Sequence, residues 1–219
     1  AEIELRTREN IKRVFKNRMR TKLMPNEIKQ YALSEYTSEI EAYIQELRFL
    51  LGKVDVESVK KIKNALQKCL QNKKTVYLIG NGGSEANATH LANDLIYGLG
   101  KNTTKNGIKA ISLSTNISVT SAISNDEGYE HIYEKQLKTL AEPGDLLLVF
   151  SGSGNSKNII TCLKTAKKMG IQTAGFLGFD GGKAKELLDY CVYTKTFNMQ
   201  ASEDLQIVLG HAIARDLAS

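Results

Sequence analysis

From Asn26 to about Leu51 the apolar residues Ile28, Tyr31, Leu33, Tyr36, Ile40, Tyr43, Ile44, Leu47, Leu50 and Leu51 come mostly three or four apart, which predicts an amphipathic helix. Val59, Ile62, Leu66 and Leu70 repeat the pattern and predict a second helix over 56–70. After Lys74 the periodicity changes. Val76-Tyr77-Leu78-Ile79 and Leu146-Leu147-Leu148-Val149-Phe150 are unbroken apolar runs bounded by glycine, as in strands buried on both faces of a parallel sheet. Strands near 75–80, 109–113, 145–150, 172–178 and 191–196 alternate with helices near 84–97, 117–124, 129–141, 156–169, 182–188 and 202–217. Such alternation predicts an α/β fold with a doubly wound parallel sheet. The N-terminal helices then cover one edge of the sheet or form a subunit interface. Pro25 divides the chain into an arm, 1–25, and one domain, 26–219, that includes the helices of 26–71.

A chain of 219 residues, 42% apolar and 25% charged, suffices for one sizeable α/β core. No apolar stretch approaches the roughly 20 residues that cross a bilayer, and no secretion signal is found. Cys69, Cys162 and Cys191 are odd in number and widely spaced, so they read as reduced structural cysteines in a cytoplasmic protein. The net charge of +6 resides mainly in residues 1–25, which hold eight Lys/Arg against three Glu. Ile11, Phe15 and Met19 recur there at helical spacing, which favours a solvated or interface-packed helix over a nucleic-acid contact. The chain begins at Ala1 and stops within a helix-like run, so it is read as a piece of a longer protein, with the arm a remnant of the connection to an adjoining domain.

Two loops carry the candidate chemistry. Gly80-Asn81-Gly82-Gly83-Ser84 and Ser151-Gly152-Ser153-Gly154-Asn155-Ser156 each follow an apolar run and precede a helical stretch. That places them at strand C-terminal ends, where open α/β sheets bind ligands and helix N-termini attract anions. Glycine lets the backbone approach a phosphate, and the hydroxyls of Ser84, Ser151, Ser153 and Ser156 donate to its oxygens. Two helix N-caps on tight turns are the plainer account of either loop; the two loops together favour a phosphorylated ligand. Neither is a dinucleotide fingerprint or a Walker loop, and no serine sits in a G-x-S-x-G elbow.

His90 and Asp94, four apart, share one face of the helix that follows the first loop. Glu203 and His211, eight apart on the last helix, border a common cleft about 80° apart around it. These four groups suit either a divalent metal or general acid/base work. Spacing alone favours the plainer account, with His90 a half-buried helix residue, Asp94 and Glu203 solvated, and His211 a core histidine. His131 reads as structural.

GNGGS at 80–84, ATHLANDL at 88–95, AISNDEGYE at 122–130, SGSGNS at 151–156, FLGFDGGK at 176–183 and the spacing of Glu203 and His211 resemble the SIS (sugar isomerase) family and, within it, the phosphoheptose isomerases. The resemblance spans residues 30 to 217. It implies a flavodoxin-like, five-stranded parallel sheet and a homotetramer with active sites between subunits. It also implies conversion of sedoheptulose 7-phosphate to the heptose 7-phosphate of surface polysaccharides. Carried over residue by residue, Ser84, Ser151, Ser153 and Ser156 hold the phosphate with Asn81 and Gly82 of the first loop, while Asn125 and Asp126 lie near the sugar. Asp94 and His211 become the acid/base pair. A zinc ion, one per subunit, falls to His90, Asp94, Glu203 and His211, with Glu203 also near the substrate. Four departures stand out: Asp94 for the usual glutamate, Glu203 for glutamine, Gly98 for an arginine and Gly152 for threonine.

The leading expectation is therefore a sugar-phosphate isomerase that works through an enediol. Two alternatives remain open: an isomerase of another sugar phosphate, and a non-catalytic SIS protein that senses a sugar phosphate or binds a partner, as the initiator-associating protein of bacterial replication does. The shortened Asp94 and the basic arm favour the latter; both histidines, both serine loops and the retained carboxylate favour the enzyme.

Overall fold

The computed structural model describes residues 38–99 and 107–219. The basic arm, the Pro25 boundary and the first part of the helix expected over 26–51 lie outside them. The chain divides into two units, 1–53 and 54–219. The first contributes helix α1, Glu39–Gly52, which starts where Ser38 Oγ accepts the Glu41 N–H at 3.2 Å.

The second unit alternates as the sequence predicts: α2 (Val56–Gln71), β1 (Thr75–Ile79), α3 (Gly83–Asn93), β2 (Lys109–Ser112), α4 (Ile117–Asp126), α5 (Ile132–Leu140), β3 (Leu146–Ser151), α6 (Lys157–Lys168), β4 (Gln172–Leu177), β5 (Tyr190–Tyr193) and α7 (Met199–Ala218). The five strands are all parallel, in the order β2-β1-β3-β4-β5. Successive strand residues serve opposite faces. Val76, Leu78, Leu146, Leu148, Phe150 and Phe176 pack with Ile62 and Leu66 of α2, Leu91 of α3, and Leu209 and Ile213 of α7. Tyr77, Ile79, Leu147 and Val149 face Tyr133 and Leu137 of α5 and Ile159 and Leu163 of α6. Truncating one of these buried leucines to alanine costs about 2–5 kcal/mol, so the strand ends are set on a stiff base.

Three expected elements differ. The helix expected over 182–188 is only a 3₁₀ turn, Lys183–Glu186, because Gly181 and Gly182 both hold positive φ and β5 begins at Tyr190. The strand expected to 196 ends at Tyr193, and the chain turns so that Thr196 O accepts the Phe179 N–H at 2.8 Å. The helix expected over 84–97 is α-helical only to Asn93 and continues as a π turn, Asp94–Gly98. Leu99 N–H reaches back five residues to Asp94 O, and Leu95 O takes the Ile108 N–H at 2.8 Å instead.

From β1 the chain crosses to β2 on one side, and from β3 to β4 on the other. The C-terminal ends of β1 and β3 therefore flank the point where strand order reverses, and both glycine loops leave from there.

Candidate active site

Gly82, at φ +58, forms the N-cap of α3 without a side-chain cap, so the first N–H groups of the helix stay available to an anion. Tyr133 Oη donates to Gly80 O and lies 3.2 Å from Ser114 Oγ. Burial pushes this phenol up to about 12, so it remains a donor at neutral pH. Asn81 and Asn158 form a reciprocal amide pair: Asn81 Nδ2 donates to Asn158 Oδ1 at 3.0 Å, and Asn158 Nδ2 donates back at 2.8 Å. Tyr129 Oη donates to the same Asn81 Oδ1 at 2.9 Å. Both lone pairs of Asn81 are thus used, and its side chain keeps one amide hydrogen for a ligand. Because Asn158 is buried in the first turn of α6 and also accepts the Ile159 N–H at 2.9 Å, the pair ties the first loop to the helix that follows the second.

In the second loop Ser151 Oγ accepts the Gly154 N–H at 3.0 Å and Ser153 Oγ accepts the Asn155 N–H at 3.3 Å. Both hydroxyls keep their own hydrogens to donate, and Ser156, at the N-cap of α6, makes no side-chain cap bond. Gly154, at φ +64, presses against the 178–182 turn, where a Cβ would overlap the Gly181 carbonyl. Gly154 O accepts the Ala184 N–H at 2.9 Å and Asn155 Oδ1 the Lys183 N–H at 3.1 Å, which anchors the loop to that turn.

The start of α7 reaches over both loops. A Cβ on Gly152 would overlap Met199 Sδ, one on Gly178 would overlap Ser202 Oγ, and one on Gly83 would overlap the Glu203 carboxylate. Asn87 Nδ2 of α3 donates to Glu203 O at 2.8 Å and to Gln206 Oε1 at 3.2 Å, which fixes α7 beside α3.

Farther along these two helices His90, Asp94 and His211 converge. His211 Nε2 is 2.9 Å from His90 Nε2 and 3.4 Å from Asp94 Oδ2, and His90 Nε2 is 3.8 Å from Asp94 Oδ2. The two rings meet edge to face, with centroids 4.9 Å apart. Tetrahedral zinc bonds of about 2.0–2.1 Å put ligand atoms roughly 3.4 Å apart, so three donors at these distances suit three corners of such a site. All three side chains are partly exposed, leaving the fourth side accessible. Without a metal, one ring nitrogen must donate to the other, which fixes opposite tautomers.

Of the four expected metal ligands, this geometry unites three. Glu203 precedes His211 by about 12 Å of helix, and its carboxylate lies beside the first loop, over Gly83. Asn125 and Asp126 are exposed at the end of α4, and Asn125 Nδ2 donates to Asp126 Oδ1 at 2.8 Å. His131 contacts Glu134 Oε1 at 3.1 Å, the structural part expected of it. Burial raises the Cys69 and Cys191 thiols to about 11 and Cys162 higher still, which keeps all three thiols protonated. The sequence assigned no part to Tyr129, Tyr133, Asn158 or Met199. Tyr129 lies within the AISNDEGYE motif and Tyr133 follows Tyr129 by four residues, whereas Asn158 and Met199 carried no signal.

The SIS domain family matches residues 36–178. A phosphoheptose isomerase of Nitratiruptor is 34% identical over 181 residues, 83% of this chain and 91% of that protein. One from Aliarcobacter butzleri is 38% identical over 159 residues, 73% and 83% of the two chains. The structure of phosphoheptose isomerase GmhA from Neisseria gonorrhoeae superposes with a TM-score of 0.75 at 29% identity, covering 81% of this chain and 96% of that one.

Proposed function

Because the chain belongs to the SIS domain family and, within it, to the phosphoheptose isomerases, we propose that it isomerises sedoheptulose 7-phosphate to D-glycero-D-manno-heptose 7-phosphate for surface polysaccharides. The observation that carries this reading is the meeting of His90, Asp94 and His211 on two helices, α3 and α7, whose N-terminal ends lie at the serine loops. From Ser84 to His90 along α3 is about 9 Å, a span that fits an extended heptose phosphate better than a triose phosphate. Ser84, Ser151, Ser153 and Ser156 would grip the phosphate, with the N-terminus of α3 and the remaining Asn81 amide hydrogen. Asn125 and Asp126 would meet the sugar.

Isomerisation removes a proton from one carbon beside the carbonyl and returns it to the other, while a hydroxyl proton crosses between the oxygens. Asp94 and His211, 3.4 Å apart, are close enough to act on neighbouring atoms of one substrate. Asp94 takes and returns the carbon-bound proton, and His211 moves the hydroxyl proton. Glu203, one side chain from the phosphate end, is available to a substrate hydroxyl. The fit of His90, Asp94 and His211 supports one zinc per subunit, which would polarise the carbonyl.

A homotetramer in the cytoplasm completes the proposal. It is supported by exposed Ile96, Tyr97, Ile111 and Ile117 on or near edge strand β2, while no described helix is long and apolar enough to cross a membrane.

The test is deuterium entry into sedoheptulose 7-phosphate in heavy water. Wild type should exchange, and Asp94→Asn should do so about 10²–10⁴-fold more slowly with substrate affinity retained. Equal exchange by both proteins would remove Asp94 from the chemistry, and no exchange by wild type would refute the isomerase.

A further inference from the structure

Two tyrosines one helical turn apart hold the first glycine loop from outside it. Tyr133 is buried, and its bond to Gly80 O belongs to the core. Tyr129 is 53% exposed, yet its hydroxyl donates to Asn81 Oδ1 at 2.9 Å across 48 residues of sequence. An exposed ring contributes little to the fold, so the value of that bond lies in what it joins. Three residues before Tyr129 is Asp126, in the segment proposed to meet the sugar. Gly128, at φ +106, turns the chain between them. At the other end Asn81 belongs to the loop proposed to meet the phosphate, and its remaining oxygen bond goes to Asn158.

We propose that Tyr129 is a positioning residue: its hydroxyl fixes Asn81, and with it the 80–84 loop, against the 125–126 segment before the phosphosugar arrives. The proposal rests on the reading of the ligand as a sugar phosphate. Removing the hydroxyl leaves Asn81 held by Asn158 alone and transfers the ordering cost of the loop to the binding step. A sugar phosphate touching both parts bears that cost fully. Inorganic phosphate, which reaches only the loops, bears less.

Calorimetric titration of wild type and Tyr129→Phe with sedoheptulose 7-phosphate and with inorganic phosphate separates the cases. The expected result is a Kd for the sugar phosphate about 3- to 10-fold higher in the variant, the worth of one net hydrogen bond, and a smaller rise for phosphate. KM should follow Kd, while kcat and Tm stay within error. An unchanged Kd for the sugar phosphate overturns the proposal. A fall in kcat at constant KM also overturns it, because the hydroxyl would then serve in proton transfer. A wild type that binds sedoheptulose 7-phosphate without converting it refutes the isomerase reading and leaves the comparison of Kd values valid.

Discussion

Glu134→Gln should weaken the protein at neutral pH and not in strong acid. Glu134, on α5, is almost wholly buried, yet accepts from Lys138 Nζ at 2.8 Å and Thr165 Oγ1 at 2.9 Å and contacts His131 Nδ1 at 3.1 Å. Burial pushes this carboxyl up, but the bonds to Lys138, Thr165 and His131 outweigh burial and hold it at about 2 against an ordinary 4.5. At 1.36 kcal/mol per pH unit the gap is worth about 3 kcal/mol, and screening of the half-exposed Lys138 trims it to about 2 kcal/mol. The folded value lies below the unfolded one. The stabilisation is therefore complete above about pH 5, fades as pH falls from 4.5 towards 2, and is gone once both states are protonated. Urea unfolding followed by circular dichroism at pH 7, 5, 4, 3 and 2.5 reads this directly. At pH 7 the variant should lose about 2 kcal/mol, or about 4–8 °C in Tm, and the two curves should converge in acid. Turnover at 25 °C should survive, since Glu134 touches neither loop. A loss below about 0.5 kcal/mol at pH 7, or an undiminished one at pH 2.5, would refute the reasoning.

Replacing Ser153 and Ser156 together by alanine removes two hydroxyl donors to a charged group, each worth about 1.5–3 kcal/mol, so affinity for sedoheptulose 7-phosphate should fall about 100-fold or more without loss of Tm. Unchanged affinity would take the second loop out of the site. Protein purified without chelator should carry about one zinc per chain, and His211→Ala, lacking one of three donors, should carry almost none. Equal metal content in the two would assign the ion elsewhere.

The sheet was legible because strands buried on both faces leave unbroken apolar runs such as 146–150, and the loops because glycine and serine cluster where those runs stop. Helical spacing put His90 and Asp94 on one face of a helix, and the resemblance to the phosphoheptose isomerases, rather than spacing, joined His211 to them. The π turn at Asp94 was hidden because it depends on Ile108 reaching Leu95 O, a bond between segments 13 residues apart. Asn158 was hidden for a similar reason, since its partner Asn81 lies 77 residues away and polar residues at helix starts are common. Glu203 was expected beside His211. Where its carboxylate lies depends on the missing side chain of Gly83, which neither sequence spacing nor helix periodicity encodes.

The close seating of α7 on Gly83, Gly152 and Gly178 also constrains how this protein can diverge. A side chain on Gly83 or Gly152 requires the flexible end of Glu203 or Met199 to swing aside, whereas one on Gly178 meets the Gly152 carbonyl oxygen as well as Ser202. Each of these positions is therefore coupled to one helix position more than 20 residues away, loosely at Gly83 and Gly152, where a side-chain end can rotate, and tightly at Gly178, where backbone also stands in the way. A hydroxyl-bearing residue at position 152 would displace the Met199 thioether, either by a new rotamer or by a smaller residue at 199. With glycine at 152, the side-chain hydroxyls of this loop come from Ser151, Ser153 and Ser156 alone.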